Sequence, residues 1–167
     1  FIKFDILGLA SLRMLEGAIE RILRRHHGIA NPTFADIKEY YDKNLHPEKI
    51  NLNDKAVWEN IFHKGKWAGI FQFTEMGAQS FCKNAKPDNI IDLAAITSIY
   101  RPGPLSANVD KKYVKAKENP RDIFYANKQV KDVTKETYGF LIFQEQIASL
   151  AHQLGEDISL DEGNLLR

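Results

Sequence analysis

The 167 residues carry 23 Lys and Arg against 22 Asp and Glu, a formal net charge of +1, and are 44% hydrophobic and 27% charged. This suits one or two globular units with a real core and excludes disorder as the dominant state, while the near-neutral total gives no support by itself to nucleic-acid binding. A single cysteine, Cys82, excludes an internal disulfide framework and a cysteine-rich zinc site, and no apolar run reaches the roughly 20 residues of a membrane span, so we expect a soluble cytoplasmic protein with no membrane partner.

The opening stretch FIKFDILGL alternates, which predicts a strand over residues 1–10 with Phe1, Lys3 and Asp5 on one face and Ile2, Phe4 and Ile6 on the other. After Gly8 the spacing becomes helical, with Leu12, Leu15, Ile19, Ile22 and Leu23 on one face, and this helix is expected to end near Gly28. The polar stretch from Ala30 to Asn53 holds one short helix around Phe34, Ile37, Tyr40 and Tyr41. A further helix, entered at Asn53 or Asp54, turns Val57, Trp58, Ile61 and Phe62 inward and stops at the glycine of HKGKW.

GIFQFTEMG is expected to begin extended and become a helix carrying Met76 and Phe81. Asn89 to Ile99 is a nearly all-apolar helix, hence central, and ends at Tyr100 because Pro102 disfavours helical backbone at Arg101. YRPGPL is a rigid turn, and Ser106 is placed to cap VDKKYVKAKEN. FLIF is expected extended, and QEQIASLAHQL helical with Ile147, Leu150, Ala151 and Leu154 inward. The expected class is therefore mainly α, with a single leading strand and few short strands elsewhere. The chain opens without Met inside a strand and closes a few residues into a helix capped by Ser159 and Glu162, so we expect a piece of something longer.

Three groups of residues could carry chemistry. Lys3 and Asp5 sit mid-strand, where charge must be solvated, paired or bound to an ion. Two explanations stand side by side, an edge strand in water or an active-site strand whose Asp5 holds a metal. One carboxylate cannot build a two-metal site, so in the second case its partners lie outside this chain. Arg101, fixed by Pro-Gly-Pro at the end of a buried helix, is either a surface side chain or a phosphate clamp whose fork bonds two oxygens and cannot lose its charge. The stretch from Lys111 to Lys135 holds eight basic residues, among them Lys111, Lys112, Lys115 and Lys117. It could track a nucleic-acid backbone or form a solvated face diluted by interspersed acids. His26 and His27 are adjacent and so diverge on a helix, against a shared metal. The polar groups of FQEQ and GIFQF, embedded in apolar surroundings, must be hydrogen-bonded and read as structural.

Taken in order, KFDILGL, GIFQFTEMG, KPDNIIDLAAITSIYRPGPL, TYGFLIFQEQIASLAHQLG and LDEGNLLR resemble the C-family bacterial replicative DNA polymerases, the DNA polymerase III alpha subunits. The resemblance covers nearly the whole chain and is weakest over residues 28–55 and 118–132. It implies that residues 1–10 are the C-terminal strand of a palm and 11–167 a helical fingers domain truncated at its C-terminal end. It further implies that Asp5 is one of three catalytic carboxylates holding two Mg²⁺ ions and that Arg101, with Lys3, binds the incoming deoxynucleoside triphosphate. Lys111, Lys112 and Lys115 then become candidate DNA contacts. The implied partners are primer-template DNA, dNTP, the remaining palm and thumb, a sliding clamp and other replisome subunits. The alternative is a non-catalytic helical module, binding nucleic acid or a partner protein, on a polymerase-like scaffold. Departures from the family pattern fall at Phe73, Thr74 and Glu75 and at Phe143, away from the metal and the guanidinium.

Overall fold

Apolar residues at helical spacing fold the segment after Leu9 into α1 (Ala10–His26), which buries Ile19 and Leu23 and leaves Leu12, expected on the same face, exposed. Its last turn gathers Arg24, Arg25 and His26 at the carbonyl end, where cations are favoured, and Arg24 pairs with Glu20 at 2.6 Å. Helix α2 (Phe34–Asn44) starts at a capping box in which the Thr33 hydroxyl accepts from the Asp36 N–H and the Asp36 carboxylate accepts from the Thr33 N–H. Hydrogen bonds from the Thr33 hydroxyl, then from its backbone, hold the Asp36 carboxyl below the usual range. Helices α1 and α2 pack together within a first unit, residues 1–52 with 68–71. The computed structural model describes residues 4, 8–155 and 157–165.

The second unit comprises residues 53–67 and 72–167. Asp54 caps α3 (Lys55–Val57) by accepting from the Ala56 N–H, and the chain then widens into a π-helical turn, Trp58–Phe62, that buries both of its terminal aromatics. Trp58 stacks on Phe62 and Trp67 on Phe73, ring centroids 5.2 Å apart in each pair, forming one aromatic patch of the core. Helix α4 (Met76–Ala85) buries Phe81 and Cys82 and exposes Met76. Burial pushes the Cys82 thiol up to about 12, so it is inert at neutral pH. Asn89 caps α5 (Ile90–Ile99), whose Ala95, Ile96 and Ile99 are central as expected.

Next come α6 (Pro102–Ser106), α7 (Val109–Glu118), α8 (Lys128–Thr134), α9 (Gln144–Leu154) and α10 (Leu160–Asn164). Ser106 does not cap α7. The Pro-Gly-Pro segment coils into α6, Ser106 bonds back to Gly103 O, and Asn108 in left-handed backbone starts α7. On α9 the buried residues are Gln146 and Ala148, whereas Ile147 and Leu154, expected inward, are exposed.

The expected fold class needs correction: among the described residues there is no strand. The chain is mainly α. Of the strand expected over 1–10, residues 1–3 and 5–7 lie outside the described residues, 8 and 9 are irregular, and Ala10 already begins α1. The short strands expected in GIFQF and FLIF are irregular backbone, because a strand needs a neighbour for its ladder and side chains take that place here. Gln146 Oε1 accepts from the N–H groups of Ile142 and Phe143 at 2.8 and 3.0 Å, and the Thr137 hydroxyl donates to Phe140 O.

Candidate functional site

Arg101 stands where α5 stops. Its backbone is extended (φ −137°, ψ 153°), as the following proline demands, and its N–H donates to Ile99 O while its own carbonyl accepts from Leu105 N–H. Two backbone bonds and a proline therefore fix the base of the side chain. The guanidinium is exposed and has no hydrogen bond or ion pair among the described residues.

This arginine lies on the rim of a cleft of about 520 Å³. The floor is apolar, made by Phe73, Ala78 and Ile96, and the polar rim adds Thr74, Glu75 and Thr97. Gln79 Nε2 donates to Phe73 O at 2.8 Å and ties the loop to α4, while Gln72 adopts left-handed backbone (φ 66°) at the cleft edge. Of the polar groups expected to be satisfied structurally, Gln146 is, and Gln72 instead lines this cleft, exposed. Tyr100 closes one side. Its hydroxyl donates to Glu75 Oε2 at 3.4 Å and lies where a Cβ on Gly77 would stand, so a larger residue at 77 would displace the phenol. A permanent cation beside an apolar floor suits an anionic group carrying an apolar body.

The lysines expected as DNA contacts are divided between two concavities. Lys111 lines a second cleft of about 800 Å³ with Lys83 and Lys86, bordered by Asp110 and Glu118, and Tyr100 forms its wall towards the first. Lys112 and Lys115 line a third concavity with Phe124. Lys117 is no surface cation at all: its ammonium bonds Asp92 Oδ2 at 2.6 Å, Asp88 Oδ2 at 3.0 Å and Lys86 O at 2.6 Å. Phe124 carries no signal in the sequence, and Tyr100 is marked there only by its place beside Arg101 in YRPGPL.

Lys3 and Asp5 lie outside the described residues. Among the described residues no three His, Cys, Asp or Glu side chains converge as an ion's ligands. No described helix is long and apolar enough to cross a membrane.

Residues 17–167 match the family described as the bacterial DNA polymerase III alpha subunit finger domain. Curated relatives agree: DNA polymerase III subunit alpha of Xylella fastidiosa (strain 9a5c) is 32% identical over 167 residues, covering 99% of this chain and 13% of the relative. The subunits named alike from Borreliella burgdorferi and Halalkalibacterium halodurans are 34% and 31% identical over 166 residues, again across 99% of this chain and 13% of each relative. The chain thus spans about 13% of the length of the curated relatives it matches. With the matched family covering α2 to α10 and the relatives nearly all of the chain, it belongs to the bacterial DNA polymerase III alpha subunit finger domain family.

Proposed function

We propose that this chain is the fingers portion of a template-directed DNA polymerase and that it binds the incoming deoxynucleoside triphosphate in the cleft between Gln72 and Leu105. The observation that carries this is the unpaired Arg101 guanidinium, held by a rigid turn above an apolar floor. Its two-pronged fork complements phosphate oxygens, and its charge persists throughout the reaction, so it holds the triphosphate alike before and during cleavage. The floor of Phe73, Ala78 and Ile96 gives the sugar and base an apolar surface. The primer 3′-hydroxyl would attack the α-phosphorus in line. Divalent ions for that transfer would be gathered by Asp5 and carboxylates supplied by the rest of the protein, and Lys3 would face the same phosphates. The partners are then primer-template DNA, dNTP, the palm and thumb of the parent protein, and a sliding clamp with other replisome subunits.

The test is steady-state primer extension by the parent protein. Arg101→Ala should raise the apparent KM for dNTP by about 10- to 100-fold, the loss of charge-assisted bonds of roughly 1.5–3 kcal/mol, with a smaller change in kcat. Asp5→Asn should abolish turnover without unfolding the protein. The isolated chain should extend no primer. Unchanged kinetics in Arg101→Ala would remove the clamp role, and full activity in Asp5→Asn would favour the non-catalytic module.

A further inference from the structure

Phe124 is 88% exposed, while Ile123 and Tyr125 on either side of it are half-buried. The Ile123 backbone is extended (φ −74°, ψ 118°), so side chains alternate: Ile123 and Tyr125 are half-buried and Phe124 points away from them. The loop is pinned at several points. Asp122 N–H donates to Asn119 O at 3.1 Å, and Ile123 packs so tightly on Gly139 (φ 87°) that a Cβ there would lie 2.9 Å from Ile123 Cγ2. Tyr125 lies beneath the Lys131 ammonium, 5.9 Å from ring centroid to Nζ. The ring of Phe124 is therefore held out by the fold rather than by the looseness of a loop, and it makes no ring contact among the described residues.

Beside it run Lys112 and Lys115, one turn apart on α7, exposed and without an acidic partner among the described residues. Together they line a concavity of about 320 Å³ in which Asp122 is the one acidic group, with Tyr138 and Phe140 behind. Everything this arrangement needs to complete it is a flat apolar partner flanked by negative charge.

We propose that this concavity is a stacking platform for single-stranded DNA, in which Phe124 receives one base and Lys112 and Lys115 bond the flanking phosphates. Stacking on an aromatic with a cationic track alongside is the general chemistry of sequence-tolerant single-strand binding. A duplex hides its base faces and presents only edges and backbone, so the aromatic ring selects the unpaired form. The proposal rests on reading the chain as polymerase fingers, for which the partner is the unpaired template, but it uses residues apart from the Arg101 cleft.

The test is made on the parent protein with an oligonucleotide carrying a photoreactive pyrimidine at successive unpaired template positions. Crosslinking mapped to Phe124, lost in the blunt duplex, is the expected result. Phe124→Ala should weaken binding of an unpaired overhang about tenfold, the scale of one lost stacking contact, and leave blunt-duplex binding unchanged, while Phe124→Trp restores it. Lys112→Gln and Lys115→Gln should each lower the slope of log affinity against log salt by about 0.7. Absence of any crosslink at Phe124, or a Phe124→Ala variant that binds the overhang as wild type does, overturns the proposal. A fall in thermal stability with no selective loss of overhang binding also overturns it, since the ring then packs on the rest of the protein. If Arg101→Ala still raises KM for dNTP in that same protein, only the platform has failed and the nucleotide reading stands.

Discussion

Lys117 donates to Asp92 at 2.6 Å inside the second unit, where Asp92 is 1% exposed and is the one charged residue of α5. The carboxylate also accepts from the Tyr113 hydroxyl at 3.3 Å, the Tyr138 hydroxyl at 3.2 Å and the Asp88 N–H at 3.1 Å. One side chain thus ties α5 to α7 and to the turn at residues 137–139, the scaffold behind the Arg101 turn. Asp92→Ala should destabilise the chain by about 3 kcal/mol, the low end for breaking a buried pair because Asp88 still reaches Lys117. Asp92→Asn, which keeps an oxygen for both phenols, should lose less. Urea unfolding compares the two.

Gln146 predicts a second large loss. Besides accepting from Ile142 and Phe143, it donates to Val133 O at 3.1 Å and Thr137 Oγ1 at 2.8 Å, joining α8, the turn and α9. Gln146→Met fills a similar volume but strands these partners, and a cost of about 3 kcal/mol is expected in the same unfolding measurement. A near-neutral Gln146→Met would show that packing alone holds α9.

Gly77→Ala places a methyl carbon against the Tyr100 hydroxyl and ring, at 2.2 and 3.1 Å in the present geometry. The ring must move, costing about 1–3 kcal/mol, and with it one side of the Arg101 cleft. The expected signature is a raised apparent KM for dNTP in the parent protein. Adding Tyr100→Ala to Gly77→Ala should recover the stability, a double-mutant cycle that assigns the clash to this pair.

Burial first, and the adjacent Asp92 carboxylate second, push the Tyr113 and Tyr138 phenols well above the ordinary tyrosine range. Folding therefore favours their protonated forms. Their contribution is fully present below about pH 10, the unfolded value, and is lost as pH climbs above it, by up to about 1.4 kcal/mol per pH unit for Tyr113. Titration of phenolate absorbance should show two of the six tyrosines ionising only as the helical signal collapses. Six ionising together near pH 10 in the folded chain would contradict the buried hub.

Local chemistry was legible wherever it acts over a few residues. The Asp54 start, the Ser159–Glu162 capping box, the stop at Tyr100 forced by Pro102, and the central α5 all follow from neighbours in sequence, since caps and proline sterics act within one turn. The ordered motifs likewise pointed to the family before any geometry was known. The face of α9 was misjudged because its inward position is decided by what Gln146 bonds from α8 and the 137–140 turn, a partner set that helical periodicity does not contain.

The sequence by itself determined that this chain is mainly helical, where α1, α5, α7 and α9 begin and end to within a few residues, and that an arginine is locked after Tyr100, whereas α6 and α8 formed in segments whose composition reads as turn and loop. Tertiary structure alone decided what each charge does. Lys111, Lys112, Lys115 and Lys117 share one helix and look equivalent in a linear string, yet Lys117 is partly buried and paired with Asp92, Lys111 lines one cleft, and Lys112 with Lys115 lines another beside an outward phenylalanine. The reason is physical: helix propensity and capping are local energies, whereas desolvation and ion pairing depend on which distant groups the fold brings within a few ångströms.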